Sequence, residues 1–528
     1  MSGAVSTSHY LATSAGERAL RAGGSAVDAA IAAAAALCVV YPNNVALGGD
    51  LVALVRSPDG RIRFINATGT SARGSSLETM RARYENQLPS RGIDTVTLPG
   101  GVAGWGVLHD AGARLPLGEL LEPARTWAES APVSRSVGAA IRVDRDALAA
   151  DPGCAALFLP DGRGLVEGDT LRQPQLARTL ETLQEQGTSA FYRGPLAARW
   201  IAGLRALGSA LTEDDAAEYR PTVSGALTRR VFGLDLHTGR PNSQGFAFLR
   251  NAVTAASAAW PDPLGADAGL LARTFYASNS VRRRWLSDPD TAHHDADALI
   301  AMPEPASLPA TAIAPATGDT VGLVAVDDDG WAVSLVQSVF WAFGACVLEP
   351  ETGILFHNRG TSFSLDPRHP AAYAPSRRPP HTLMPVLVER SGALAYAGAT
   401  MGGQAQAQIH THLLLRLVAG SSALEATSAP RWVVGIQDDG DVEETVTIEA
   451  DVPRTARDAL ADAGFPLRVV PPRDELLGHS NVIVATEQGW DAASDPRSDG
   501  SAVVVVAPET AAGAEQSGRR PEEARAEE

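Results

Sequence analysis

The chain of 528 residues contains no lysine; all 44 of its basic residues are arginines. That absence excludes a phosphate-gripping P-loop lysine, a pyridoxal or other Schiff-base lysine, and serine–lysine catalysis. Cysteine is scarce: Cys38, Cys154 and Cys346 are odd in number and far apart. They read as reduced, packed thiols and not as a disulfide frame or a zinc site. Long apolar runs are missing too. The richest stretch, 29–40 (AAIAAAAALCVV), is too short and too alanine-rich to cross a bilayer. The opening MSGAVSTSHYLAT has neither a basic segment nor an apolar signal core, so no membrane partner and a cytoplasmic location are expected. Positive charge is in deficit, and a net charge of −17 leaves no basic footprint for nucleic acid. The patterns HExxH, CxxC, GxSxG and GxGxxG do not occur.

What is present suits a globular protein, with 45% hydrophobic and 20% charged residues and length for one large domain or about two to three ordinary ones. A short strand (3–8) precedes two alanine-rich helices, about 12–22 and 26–38. Residues 51–66 read as two β-type runs around the turn SPDG. Helical patterns dominate from about 107 to 290, with strand-like interruptions near 229–236. Beyond Thr320 hairpins take over: 321–336 turning at DDDG, and 383–389 with 393–399 turning at RSG. A helix is expected over 404–418, then strands at 445–450, 467–470, 481–485 and 501–506. The tail from 508 lacks apolar periodicity and reads as disordered and acidic. Alternating helices and hairpins predict an α+β protein with helices outside paired sheets.

Thr320 stands at an unusual junction, between the proline- and alanine-rich stretch 302–319 and the hairpin 321–336. Either it simply begins a strand, or the chain is cut there. As a new N-terminus, a threonine carries a nucleophile and its base on one residue. Its hydroxyl attacks while its α-amine, with a pKa of about 7.7–8.0, accepts the proton. Gly402 and Gly403, between a strand and a helix, either form a plain turn or aim backbone N–H groups at developing negative charge. His293, His294, Asp295 and Asp297 lie in a polar loop with no matching ligand set, and His410 and His412 are two apart on a helix, so no metal is expected. The run Arg282–Arg284 reads as a solvated or salt-bridged helical face.

Many ordered segments together resemble the γ-glutamyltranspeptidase family of N-terminal-nucleophile (Ntn) hydrolases over about residues 3–507. They include SHYLAT (8–13), GGSAVDAAIAAA (23–34), ALGGD (46–50), PGGVAGW (99–105), FYRG (191–194) and PNSQG (241–245). In the second half they include DTVGLVAVDDDGWAVS (319–334), ETGILFHNRG (351–360), RRPPHTLMP (377–385), TMGG (400–403) and SDPRSDG (494–500). The resemblance implies a four-layer αββα sandwich made from one precursor that cuts itself between Asp319 and Thr320. It would give a large subunit, 1–319, and a small subunit, 320–507, that remain together as an obligate heterodimer. It implies Thr320 as nucleophile, Ser338 as the hydroxyl beside it, and Gly402 and Gly403 as the oxyanion hole. His381 and Thr382 would take the place of a substrate-contacting serine pair. No cofactor is implied; the partners are a small-molecule acyl donor and water or an amine acceptor.

The departures from that pattern bear on substrate. The segment 66–73 (NATGTSAR) has no arginine where the family binds the glutamyl α-carboxylate, and Arg73 is shifted by several residues. Phe340 replaces an asparagine, and Ser362 replaces the aspartate that meets the α-ammonium. Loss of such charged partners costs several kcal/mol of binding. Arg359 and Arg73 are then candidates for carboxylate recognition. Three readings follow: a γ-glutamyl hydrolase or transferase, a diverged enzyme for a non-glutamyl acyl group, and an unprocessed binding scaffold. The second includes an amidohydrolase, or an oxalyl-releasing C–C hydrolase of 4-alkylproline antibiotic biosynthesis.

Overall fold

The structure, a computed structural model, describes residues 2–303, 319–438 and 440–506. The stretch 304–318 before the expected cut and the expected disordered tail from 508 lie outside the described residues. Two mainly antiparallel sheets stack face to face, and helices cover both outer faces. The first sheet contains β1 (Gly3–Thr7), β2 (Asp50–Arg56), β3 (Ile62–Ala67) and β4 (Thr222–Gly225). The second begins with β5 (Leu227–Val231) and β6 (Leu234–Thr238). The chain returns to the first with β7 (Asp319–Asp327) and β8 (Ala332–Phe340), then to the second with β9 (Val386–Arg390) and β10 (Ala393–Thr400). Strands β11 (Ser480–Thr486) and β12 (Gly489–Ser494) extend the second, and β13 (Ser501–Val505) closes the edge of the first. The orders are β13-β1-β7-β8-β2-β3-β4 and β12-β11-β10-β9-β6-β5.

Alternation along β8 shows how the layers form. Val333, Leu335 and Val339 face the helices, whereas Ala332 and Val336 join the core between the sheets. Helix Ala26–Val40 is buried at every residue, as expected for a helix apolar all round. Ser25 and Asp28 close its N-terminus as a reciprocal capping box. On the far side, helices Gly245–Ala258 and Gln406–Val418 pack on the second sheet. This is the expected α+β four-layer arrangement.

Some local expectations shift. The first helix starts at Tyr10, because His9 Nδ1 accepts the Leu11 N–H at 3.2 Å, a cap outside the usual Ser/Thr/Asp/Asn set. The helix expected from 404 is a 3-10 turn, Gly403–Ala405, followed by α-helix from Gln406. The interruption expected near 229–236 is the strand pair β5 and β6, and β4, just ahead of it in the chain, belongs to the other sheet.

The sheets approach closely at Gly322. Gly322 in β7 packs on the backbone of β10, and a Cβ there would stand 2.6 Å from Ala399 C and Thr400 N. Asn481 Nδ2 donates to Gly322 O at 2.7 Å, and Ser334 Oγ donates to Gly398 O at 2.7 Å. Gly322→Ala is therefore expected to force the sheets apart, at a cost of about 1–3 kcal/mol. A lower denaturant midpoint with an unchanged slope checks this.

Burial also sets acid stability. It pushes the imidazolium pKa of His9 and His479 down to about 4 and that of His410 to about 3. The unfolded chain takes up these protons first, so the stability conferred by the neutral rings is complete above about pH 6.5 and falls as pH drops towards 4. Each such histidine costs about 1.4 kcal/mol per pH unit inside that window. Acid unfolding followed by circular dichroism is expected to begin well above pH 4.

Candidate active site

Thr320 lies in β7, fully buried, and its Oγ1 donates to Ser338 Oγ at 3.1 Å. Ser338 is in the neighbouring strand β8, and its Oγ also accepts the Phe340 N–H at 2.7 Å. The pairing of β7 and β8 breaks register between Gln337 and Phe340, after which Phe340 faces Asp319. Phe340 adopts φ 83°, a conformation that costs a non-glycine residue about 1–3 kcal/mol. This bulge turns the Ser338 hydroxyl towards Thr320. Asn44 Nδ2 donates to Thr320 O at 3.2 Å, and the Val339 N–H donates to Asn44 O at 3.0 Å, fixing the same junction from the turn that precedes β2.

Gly402 and Gly403 follow β10. Their φ values of 138° and 52° fall where glycine is favoured, and a Cβ on Gly402 would meet Ile409 Cδ1 at 2.6 Å. The PNSQG segment holds this turn. Gln244 Nε2 donates to Gly403 O at 2.8 Å and to Thr382 O at 2.7 Å, while Ser243 Oγ donates to Leu383 O at 2.6 Å. A groove of about 550 Å³ opens beside Met401 and Gly402, lined also by Asn43, Trp341, Gln437 and Glu475. No hydrogen bond among the described residues joins Thr320 directly to the glycine pair.

The second cluster gathers Arg359, Ser362, Thr382 and Phe340. Arg359 is 1% exposed; its Cζ sits 3.5 Å over the Phe340 ring. Nη1 donates to Ser362 Oγ at 3.2 Å and Nη2 to Thr382 Oγ1 at 3.1 Å. Burial pushes its pKa down to about 9, with Asp50 opposing and Arg282 reinforcing the shift.

His381 is buried beside this cluster. Its Nε2 lies 3.1 Å from Asp50 Oδ2, and His357 Nδ1 lies 3.4 Å from the same oxygen. The other oxygen, Asp50 Oδ1, accepts the N–H groups of Gly69 at 2.9 Å and Gly100 at 3.1 Å. Burial alone would raise the Asp50 pKa, but His357 and His381 hold it well below the ordinary carboxylate range. Burial, with help from Arg359, pushes His381 down to about 3. The pair is thus an ionised carboxylate receiving an N–H from a neutral ring, and it anchors the segment that carries Thr382. Asp50 pairs across β2 and β8 with Ser338, which links this anchor to the Thr320 junction.

Two expectations about arginines change. Arg73 is 54% exposed and pairs with Glu218 at 2.6 Å on the surface, away from the cluster. In the run Arg282–Arg284, Arg283 pairs with Glu443 and Arg284 stacks on Trp285, but Arg282 is buried. Its Nη2 donates to Gln404 Oε1 at 3.0 Å, next to Gly403. Asp50, Gln244 and Arg282 carried no signal as site residues. Asp50 and Gln244 lay inside ALGGD and PNSQG, segments used only for the overall resemblance.

Two antiparallel sheets stacked between helices make the layered architecture of an Ntn-hydrolase fold. The γ-glutamyltranspeptidase family model matches residues 12–505, and the chain belongs to that family. It is 32% identical to the glutathione hydrolase-like YwrD proenzyme of Bacillus subtilis, covering 95% of this chain and 98% of that one. It is 34% identical to the oxamate amidohydrolase proenzyme of Klebsiella pneumoniae, covering 94% and 97%. The crystal structure of a cephalosporin acylase from Bacillus halodurans superposes with a TM-score of 0.86 at 29% identity, covering 95% of each chain. The protein is an Ntn-hydrolase enzyme of this family. No helix among the described residues is long and apolar enough to cross a membrane.

Proposed function

We propose that the chain is a self-cleaving acyl hydrolase or transferase that works through an ester on Thr320, and that its acyl group is not γ-glutamyl. The observation that carries the first part is the hydrogen bond from Thr320 Oγ1 to Ser338 Oγ in a buried strand start. In the precursor, Oγ1 attacks the Asp319 carbonyl carbon, and the oxyanion is stabilised by backbone N–H groups at Gly402 and Gly403. The C–N bond breaks as the Thr320 nitrogen takes a proton, and water releases Asp319 as a carboxylic acid. The large (1–319) and small (320–507) subunits then stay associated through the shared first sheet. In the mature enzyme the Thr320 amine accepts the Oγ1 proton, the acyl ester forms, and water or an amine resolves it. The groove beside Gly402 gives the leaving group and the acceptor a path.

The second part rests on the cluster around Phe340. At the place where the family meets an α-ammonium with a carboxylate, Ser362 offers only a hydroxyl and Arg359 adds a positive charge. A zwitterionic glutamyl head would lose its anion partner and meet a cation instead. The oxamate amidohydrolase likeness favours a short acyl group of another kind, and an oxalyl-releasing C–C hydrolase of antibiotic biosynthesis is the further variant of this reading. The three cysteines, free and buried, suit the cytoplasm.

Denaturing electrophoresis with N-terminal sequencing tests the scheme: two fragments are expected, one beginning Thr-Val-Gly-Leu. A single full-length band in active protein would refute it in favour of an unprocessed scaffold. Ser338→Ala is expected to lower kcat about 10²-fold, because the acceptor that orients Oγ1 is gone. Steady-state rates on an acyl anilide check this.

A further inference from the structure

Among the described residues five arginines are buried: Arg56, Arg282, Arg359, Arg431 and Arg497. Three of them have carboxylate partners. Arg56 meets Glu389 at 2.8 Å, Arg431 meets Asp495 at 2.7 Å, and Arg497 meets Glu449 at 2.6 Å and Asp495 at 2.9 Å. Among the described residues Arg282 and Arg359 form no ion pair, and the Nε of each has no hydrogen-bond acceptor. Asp50 acts on Arg359 only through space, and its own oxygens meet His381 and the Gly69 and Gly100 amides, with His357 Nδ1 3.4 Å away. Of these five, only Arg282 and Arg359 lack a carboxylate, at the substantial cost of an uncompensated buried charge. Both flank the region where an acyl group would lie: Arg359 over Phe340, and Arg282 on Gln404 beside the glycine turn.

We propose that Arg359 and Arg282 together receive a carboxylate at the far end of the acyl group. The donor is then an anionic ω-carboxyacyl amide or ester with no ammonium group. Arg359 binds the carboxylate. Arg282 adds a second positive charge and, through Gln404, holds the turn that follows Gly403. The precursor already contains an acyl group of this character, since the carbonyl that Thr320 would attack belongs to an aspartate whose strand position faces Phe340. The inference rests on the acyl-Thr320 reading.

The test uses the mature enzyme and the p-nitroanilides of oxalate, malonate, succinate and glutarate, each as free acid and as methyl ester, with γ-glutamyl-p-nitroanilide alongside. The best free acid is expected to exceed its methyl ester and the γ-glutamyl compound by about 30-fold or more in kcat/KM. Arg359→Met and Arg282→Gln are each expected to cut that preference by about 10-fold or more, mainly through KM, while Arg359→Lys recovers part of it. Cooperative thermal unfolding shows that each variant is folded. In parallel, the four dicarboxylates themselves are expected to raise the unfolding temperature of the wild type and not of the variants. Equal rates on acids and esters, or a preference that survives both substitutions, would overturn the receptor. So would the absence of both turnover and dicarboxylate stabilisation. Failure of the acyl-Thr320 reading looks different: the chain remains uncut and turnover is indifferent to Thr320→Ala, while the dicarboxylate shifts still judge the two arginines.

Discussion

A Thr320→Ala chain is expected to run as one full-length band and to lose at least about 10³-fold of its activity on any acyl donor. Two separate steps need the same atom. Without Oγ1 nothing attacks the Asp319 carbonyl, so the bond to residue 320 stays closed and no free amine appears. Without a free amine, a substrate acyl group would lack a proton acceptor even if another hydroxyl were near. Thr320→Ser is the informative companion. It keeps the Oγ that donates to Ser338 at 3.1 Å and removes only the methyl group. It is expected to cut more slowly yet completely, and to retain measurable turnover. Electrophoresis over a time course, with steady-state rates on the final product, separates the two. Full activity in Thr320→Ala would exclude Thr320 as nucleophile.

The second large effect concerns stability. In SDPRSDG, Asp495 bridges two buried arginines, accepting from Arg431 at 2.7 Å and from Arg497 at 2.9 Å. Arg497 also grips Glu449 in two places, with Nη2 at 2.6 Å and Nε at 2.7 Å. Burial on its own would raise the Asp495 pKa, but the two guanidiniums keep it below the ordinary carboxylate range. Removing the carboxylate leaves Arg431 without an ion pair and Arg497 with Glu449 alone, both out of water. Asp495→Ala is expected to cost about 3–5 kcal/mol. The damage also reaches the site, because Arg431 Nη1 donates to Gly478 O at 2.7 Å, and Gly478 packs under Met401 and Gly402. Equilibrium unfolding in urea at neutral pH should show the loss. Because the depressed pKa makes this contribution present at neutral pH and lost only as acid protonates Asp495, the gap between wild type and variant should narrow at low pH. A variant as stable as the wild type would mean that the network carries no net stability.

These two expectations draw on different kinds of information. The Thr320 junction and the glycine pair stood out because hairpins and turns are local, DDDG and TMGG showing over a few residues, whereas Ser338 came from the family resemblance alone. The same locality made the helix Ala26–Val40 readable, from its Ser25 cap to its apolar length. The strands β5 and β6 were read as a mere interruption near 229–236 and β4 was not read, since nothing nearby in sequence tells the adjacent strands β4 and β5 to join opposite sheets. The Arg282–Arg284 run was misread for a related reason. On a helix, three consecutive arginines point in three directions, and only the packing of that helix on its neighbours decides which one is buried.

The sequence by itself determined the chemistry available: an all-arginine basic set, a hydroxyl residue at the head of a strand, and glycines where backbone must turn left-handed. Those are properties of single residues and short spans, written directly in the chain. Tertiary structure decided which buried guanidiniums lack a carboxylate partner. Whether a guanidinium has a counter-ion depends on residues brought together from distant segments. Arg359 with Thr382, Arg282 with Gln404, and Asp50 with His381 and His357 become neighbours only in the folded chain.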